Sequence, residues 1–181
     1  MRRTLPGLAL LCLAQPALAD AADAFAGYSF EHASFENAAS VSRHGWNASV
    51  AIGLFGSLAF VADASGHYGS SEGVDRNQLT LLGGPRFSFL RGDSASPFVH
   101  ALFGLVQEKA GVRVLDITIS ENEDRFGMLL GGGVDVKVSG RWAVRAEGDY
   151  ERSSKNGATQ SGFRACVGAV YRFSKAPAPS P

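Results

Sequence analysis

The chain is short of cysteine, of long apolar runs and of any excess of one charge. Only Cys12 and Cys166 are present among 181 residues. Cys12 lies in a segment that carries the marks of a removable leader, so no internal disulfide is expected in the mature protein. Outside that segment no run approaches the ~18 apolar residues of a membrane-crossing helix. Lysine plus arginine and aspartate plus glutamate both number 17. That balance argues against nucleic acid as a partner. Three of the seven prolines fall in the last eight residues, and Pro85 is conspicuous inside an otherwise strand-like segment.

What is present begins with the leader. Arg2 and Arg3 make a basic start, residues 8–13 a short apolar core, and Ala17-Leu-Ala19 a small-x-small site. Residues 1–19 are therefore expected to be a signal peptide cleaved after Ala19. Cys12 does not mark a lipoprotein, because Leu11 precedes it where Gly or Ala is needed. The mature chain would have 162 residues and a net charge of −2. That length suits one domain, expected at 20–173. Residues 174–181 form a Pro-rich tail too short to fold, expected to be disordered. The 22 glycines sit within alternating apolar segments, which excludes collagen and low-complexity disorder.

Alternation with a period of two dominates the rest. From Ser161 to Phe173 one parity reads Ser161, Phe163, Ala165, Val167, Ala169, Tyr171 and Phe173. The other carries Arg164, Cys166 and Arg172. Period two over this length specifies a strand. A wide apolar face backed by a charged one specifies a strand of a transmembrane barrel. Seven earlier segments repeat it, led by Tyr28, Trp46, Phe60, Leu81, Phe103, Leu130 and Val144 on the apolar parity. The expected fold class is all-β: an eight-stranded antiparallel up-and-down transmembrane β-barrel.

Connections alternate in length. Gly56-Ser57, 91–96 and Ser139-Gly140 are short; 33–45, 69–77, 109–124 and 152–160 are longer and polar. Short turns are expected on the periplasmic side and long loops outside the cell. Pro85 cannot donate to a ladder, so a bulge after Gly83-Gly84 is expected to absorb it. Residues 112–119 also alternate, and either extend strand five or form a hairpin above the membrane.

The opposite parity collects Glu31, Asp63, His67, Arg86, His100, Glu108, Arg125, Asp135, Lys137, Arg145, Glu147, Asp149, Arg164 and Arg172. Both signs occur in similar numbers, as expected of a lumen plugged by ion pairs rather than an ion path. Cys166 falls among them as a small packing residue. Aromatics near strand ends, such as Trp142 and Tyr171, are expected to form interfacial girdles.

Gly84-Pro-Arg-Phe-Ser-Phe89, Pro97-Phe-Val-His-Ala-Leu-Phe-Gly104, Gly131-Gly-Gly-Val-Asp-Val136 and Tyr171-Arg-Phe173 resemble the small outer-membrane β-barrel family related to the OmpA transmembrane domain. The resemblance implies insertion by the barrel-assembly machinery, with Phe173 similar to the terminal aromatic that machinery reads. It also implies roles from envelope integrity to adhesion. No peptidoglycan-binding domain follows, so cell-wall tethering is not expected.

Sites of chemistry are weak. His32 and Ser34 share a face, so an imidazole could activate a hydroxyl, but the flanking residues of the lipid A deacylases are missing. His67 and His100 with Asp63 lack metal-ligand spacing. Glu121-Asn-Glu-Asp124 reads as a solvated acidic loop, Arg91-Gly-Asp93 as a periplasmic turn, and Asn47-Ala-Ser49 as part of a strand. No catalytic residue, metal or cofactor is expected. The expected function is an outer-membrane protein with a structural or surface-interaction role. A lipid A-modifying enzyme and a soluble lipocalin-like binding barrel are the alternatives. Expected partners are outer-membrane lipid and lipopolysaccharide, with the assembly machinery during insertion. The expected state is a monomer in a Gram-negative-type outer membrane, exported by the cleaved signal peptide.

Overall fold

A computed structural model describes residues 22–35, 38–71, 74–89, 94–114, 117–155 and 158–173. The leader, the Pro-rich tail and Arg91-Gly-Asp93 lie outside them. Eight strands follow in chain order: β1 (Ala22–Phe35), β2 (Ala38–Phe55), β3 (Leu58–Ser71), β4 (Val74–Ser88), β5 (Ala95–Val114), β6 (Ile117–Ser139), β7 (Trp142–Lys155) and β8 (Ala158–Phe173). Each pairs antiparallel with its sequence neighbour, and β1 pairs with β8 from Ala22–Phe173 to Phe35–Gln160. The sheet therefore closes and leaves no edge at membrane depth, as hydrocarbon requires.

The alternation sorts as the sequence indicates. Side chains on one parity point out and remain exposed, among them Val50, Val99, Leu105, Val144 and Val167. The lumenal parity is buried. A soluble lipocalin-like barrel needs the reverse arrangement, and so this alternative fails. Aromatics ring both ends of the apolar band. Trp142 packs edge-on to Tyr171 at 5.0 Å, and Tyr171 to Phe173 at 5.0 Å, near the tight turns. Tyr150 meets Phe163 at 5.9 Å toward the other end.

Two tight turns use glycine in the left-handed region. Gly56 has φ of 52° between β2 and β3, and Gly140 has φ of 47° between β6 and β7. An L side chain there would be strained.

Three expectations change. The long polar segments are mostly paired strand, not loop: β1 and β2 pair out to Phe35–Ala38, and β7 and β8 out to Lys155–Ala158. Ladder hydrogen bonds need no apolar side chains, so a polar strand continues into water while its neighbour runs alongside. The acidic run at 121–124 likewise belongs to β6, whereas the alternating residues 112–119 behave as expected, extending β5 to Val114 and pairing back from Ile117. Around Pro85 no bulge forms. The β4–β5 register is the same at Gly83–Phe103 and Arg86–His100, and pairing is interrupted only at Gly84 and Pro85. Pairing with β3 runs through unbroken at Phe60–Pro85. The missing donor is thus accommodated by a local gap in one ladder.

Candidate functional site

The chemistry of this chain is concentrated in the lumen, where three linked groups of charged side chains cross from wall to wall. Toward the tight turns, Arg145 of β7 forms a bidentate pair with Asp135 of β6, Nε to Oδ1 at 2.7 Å and Nη2 to Oδ2 at 3.0 Å. It also donates to Asp23 of β1 at 3.3 Å, and Arg86 of β4 grips the same carboxylate. The Arg145 guanidinium stacks between Phe98 at 4.7 Å and Phe25 at 5.1 Å. Planar, weakly hydrated guanidinium suits this buried setting better than ammonium would.

Arg164 of β8 anchors the second group. Its Nε donates to Asp149 at 2.9 Å, Nη1 to Asp63 of β3 at 3.0 Å and Nη2 to Glu147 at 3.3 Å. Asp63 also accepts from Asn47 at 2.7 Å. Asp149 is shared with His100 of β5, Nε2 to Oδ1 at 2.8 Å. That bond passes over β6 at Gly131, where a Cβ would lie 2.0 Å from Asp149 Oδ1. Glycine there is required by close approach, and the Gly131-Gly-Gly133 run is explained at this position.

Toward the longer hairpins, Arg43 of β2 donates to Glu31 at 3.0 Å and to Glu108 of β5 at 3.4 Å. Arg125 of β6 approaches Glu108 at 3.7 Å and donates to Gln160 of β8 at 3.3 Å. Gln78 donates to Glu151 at 3.2 Å. Leu82, Leu102 and Leu129, with Ala51, Ala59 and Val61, fill the β2–β6 side with apolar volume. Eight strands enclose little more space than such side chains occupy.

Of the residues placed inside from sequence, Glu31, Asp63, His67, Arg86, His100, Glu108, Asp135, Arg145, Glu147, Asp149 and Arg164 are buried. Arg125 and Arg172 are half-buried. Lys137 is exposed: it precedes the Ser139 turn, where a long side chain reaches water past the barrel rim. Asp23, Arg43 and Glu151 were not anticipated. All three have the lumenal parity, but Asp23 and Glu151 lie toward strand ends and were not collected with it, and Arg43 lies in a segment read as loop.

His32 is exposed on the outer face and bonded to Ser42 Oγ at 3.0 Å. The side chain of Ser34 lies outside the described set. A serine, histidine and acid do line up elsewhere. Ser29 Oγ is 2.8 Å from His67 Nε2, and His67 Nδ1 is 3.2 Å from Glu31 Oε2. Sequence spacing gives Ser29 and Glu31 on one face of β1, but it cannot bring in His67 of β3. All three are sealed from solvent, and the Ser29 hydroxyl also accepts from Cys166 Sγ at 3.3 Å. Glu31 is committed to Arg43, so the row is a polar core chain without an approach for substrate. His67 and His100 do not converge on Asp63. His100, Glu147 and Asp149 instead place ligand atoms within 4.8 Å of one another. Arg164 and Arg145 already neutralise those carboxylates, and two adjacent guanidinium groups oppose a dication.

A closed eight-stranded barrel, apolar outside and ion-paired inside, is a membrane-spanning barrel by construction. Residues 6–173 match the family model for the outer membrane protein beta-barrel domain. The chain belongs to that family, whose place is the outer membrane of a Gram-negative-type envelope. Among curated proteins no sequence matches. Solved barrels are similar in fold. Neisserial surface protein A superposes with a TM-score of 0.68 at 18% identity, over 84% of this chain and 99% of that one. Ail, the attachment invasion locus protein of Yersinia pestis, gives 0.64 at 17%, over 85% and 99%. The N-terminal β-barrel domain of Pseudomonas aeruginosa OprF gives 0.52 at 12%, over 85% and 98%.

Proposed function

We propose that this protein is a monomeric integral component of the outer membrane, plugged through its lumen, which works through its outer surface and not by catalysis or transport. The observation that carries this reading is the reach of Arg164 from β8 to carboxylates on both β3 and β7, across the barrel interior. A guanidinium that reaches from β8 to β3 supports a lumen closed to water at its level. The buried serine–histidine–acid row supports the same reading, since no substrate reaches it from solvent.

What remains available is the outside. The apolar band with its girdles meets lipid and lipopolysaccharide. The paired hairpins extend well beyond the roughly 9–11 residues that cross a bilayer, as the 23 residues of β6 make plain. Those hairpins are the surface that a partner would meet. The shared architecture with Ail and the Neisserial surface protein supports a surface role only at the level of the fold. Export by the leader, cleavage after Ala19 and insertion by the assembly machinery reading Phe173 complete the proposal.

Cell fractionation combined with surface proteolysis tests it. The expected result is heat-modifiable mobility in the outer-membrane fraction, with cleavage by external protease confined to the four hairpins. Recovery in the soluble periplasm would overturn the reading. Lipid A mass spectra are expected to be unchanged on deletion; an altered acyl pattern would restore the enzyme.

A further inference from the structure

The two tryptophans of the chain both face the membrane, one at each boundary, and they are held differently. Trp142, near the tight turns, packs edge-on to Tyr171, which in turn packs on Phe173. At the other boundary Trp46 of β2 is exposed, and no ring packs on it among the described residues. Across the β2–β3 ladder it pairs with Gly66. The indole leans over that glycine: a Cβ there would lie 2.6 Å from Nε1 and 2.9 Å from Cε2. Any larger residue at 66 would push the ring away. Trp46 thus keeps an exposed aromatic face at the level of the outer headgroups.

Polar atoms border this face. Trp46 Nε1 donates to the Tyr68 hydroxyl at 3.4 Å, and that hydroxyl keeps its own hydrogen to donate. The Tyr28 hydroxyl is bonded to His44 Nδ1, which leaves the second ring nitrogen of His44 turned to other partners. Tyr28, His44 and Tyr68 are all exposed. Toward the membrane, Ala48 and Val50 follow Trp46 on the same face of β2.

The combination is complementary to a sugar. A pyranose offers a C–H face that stacks on a π-system and a rim of hydroxyls that need hydrogen bonds. An acyl chain would use the indole and ignore the polar border. A bare phosphate is held best by Lys or Arg, and the outward positions 28–32, 42–50 and 62–68 supply neither. Depth decides the source. A sugar carried on a lipid already lies at the top of the apolar band, with its acyl chains running down past Ala48 and Val50.

Resting on the reading that the apolar band lies in an outer membrane, we propose that Trp46, bordered by Tyr28, His44 and Tyr68, binds the pyranose headgroup of a membrane glycolipid. The indole supplies the stacking face, and the phenols and imidazole bond the sugar hydroxyls.

The test uses the mature protein in phosphatidylethanolamine nanodiscs that contain either monoglucosyl diacylglycerol or plain diacylglycerol. With Trp142→Phe, Trp46 is the one tryptophan, and its emission is expected to shift saturably with the glucolipid and not with the plain lipid. Native mass spectrometry then counts the lipid retained by each variant. Trp46→Leu keeps an apolar side chain and is expected to retain the glucolipid about tenfold more weakly. Trp46→Tyr is expected to restore most of the loss. Gly66→Ala displaces the indole without removing it and is expected to weaken retention as well. Each variant is expected to keep heat-modifiable mobility; if Gly66→Ala does not fold, the exposed Trp46→Leu decides. Equal retention of the two lipids, or unchanged retention by Trp46→Leu, would make Trp46 an ordinary girdle residue and overturn the proposal. Competition by free methyl glucoside at equal concentration would show a soluble sugar as the ligand and overturn the membrane source. Recovery of the protein in the soluble periplasm would sink the membrane reading itself; a heat-modifiable barrel indifferent to the glucolipid sinks only this inference.

Discussion

Arg164, like Arg145, holds three carboxylates inside the barrel. It is buried and pairs with Asp63, Glu147 and Asp149. Removing it leaves three carboxylates inside the barrel with too little positive charge, and breaking a buried pair in this way costs about 3–5 kcal/mol. Arg164→Met is therefore expected to lower stability by about that amount in reversible urea unfolding from lipid vesicles; a loss under about 1 kcal/mol would show that the pairs are incidental. Gly131 poses a steric question instead. A side chain there meets the Asp149 carboxylate and forces apart the Asp149–His100 bond. Gly131→Val is expected to cost about 1–3 kcal/mol by overpacking, checked by the same titration. The parity of most of these residues was legible in the sequence. Their pairing was not, because parity states which way a side chain points and not which of seven other strands it meets.

At the scale of the element, period-two alternation located all eight strands, yet it drew them too short. Alternation is visible only where one face meets lipid, and it fades where both faces meet water, although the ladder continues. This is why Arg43 and the acidic run of β6 were read as loop. Pro85 shows the opposite error. A missing donor was expected to bend the strand, but antiparallel neighbours on two sides let one ladder skip two residues while the other holds the register. Depth along an element is open to a direct test. Val167 lies midway along the exposed face of β8, and Val138 lies at the turn end of β6. Val167→Arg is expected to destabilise by about 2–4 kcal/mol and Val138→Arg by about 0–1 kcal/mol. Equal costs at the two positions would contradict the placement of the apolar band.

For the whole molecule, closure decides what the chain can do. Hydrocarbon demands a sheet without edges, eight strands enclose an interior that side chains can fill, and charges buried there must neutralise one another. Planar-bilayer recordings of the purified protein are accordingly expected to show no conductance steps; regular steps would mean that the lumen opens. The sequence disclosed this architecture because each strand repeats the same two-sided constraint. It disclosed little of the outer hairpins, where water accepts almost any polar residue and the unequal lengths of β6 and β7 are a matter of register between strands.

The direction of polarity, apolar side chains toward lipid and charged ones toward the lumen, is measured by a spin-label scan along β8. Single labels are placed at successive positions 163–170 of the protein in bilayers, at Cys166 itself for that position and otherwise in a Cys166→Ser background, and their collision rates with oxygen and with a water-soluble nickel complex are compared. High oxygen accessibility is predicted at 163, 165, 167 and 169, with low accessibility to both probes at 164, 166, 168 and 170. A pattern shifted by one residue, or no alternation at all, would contradict the account.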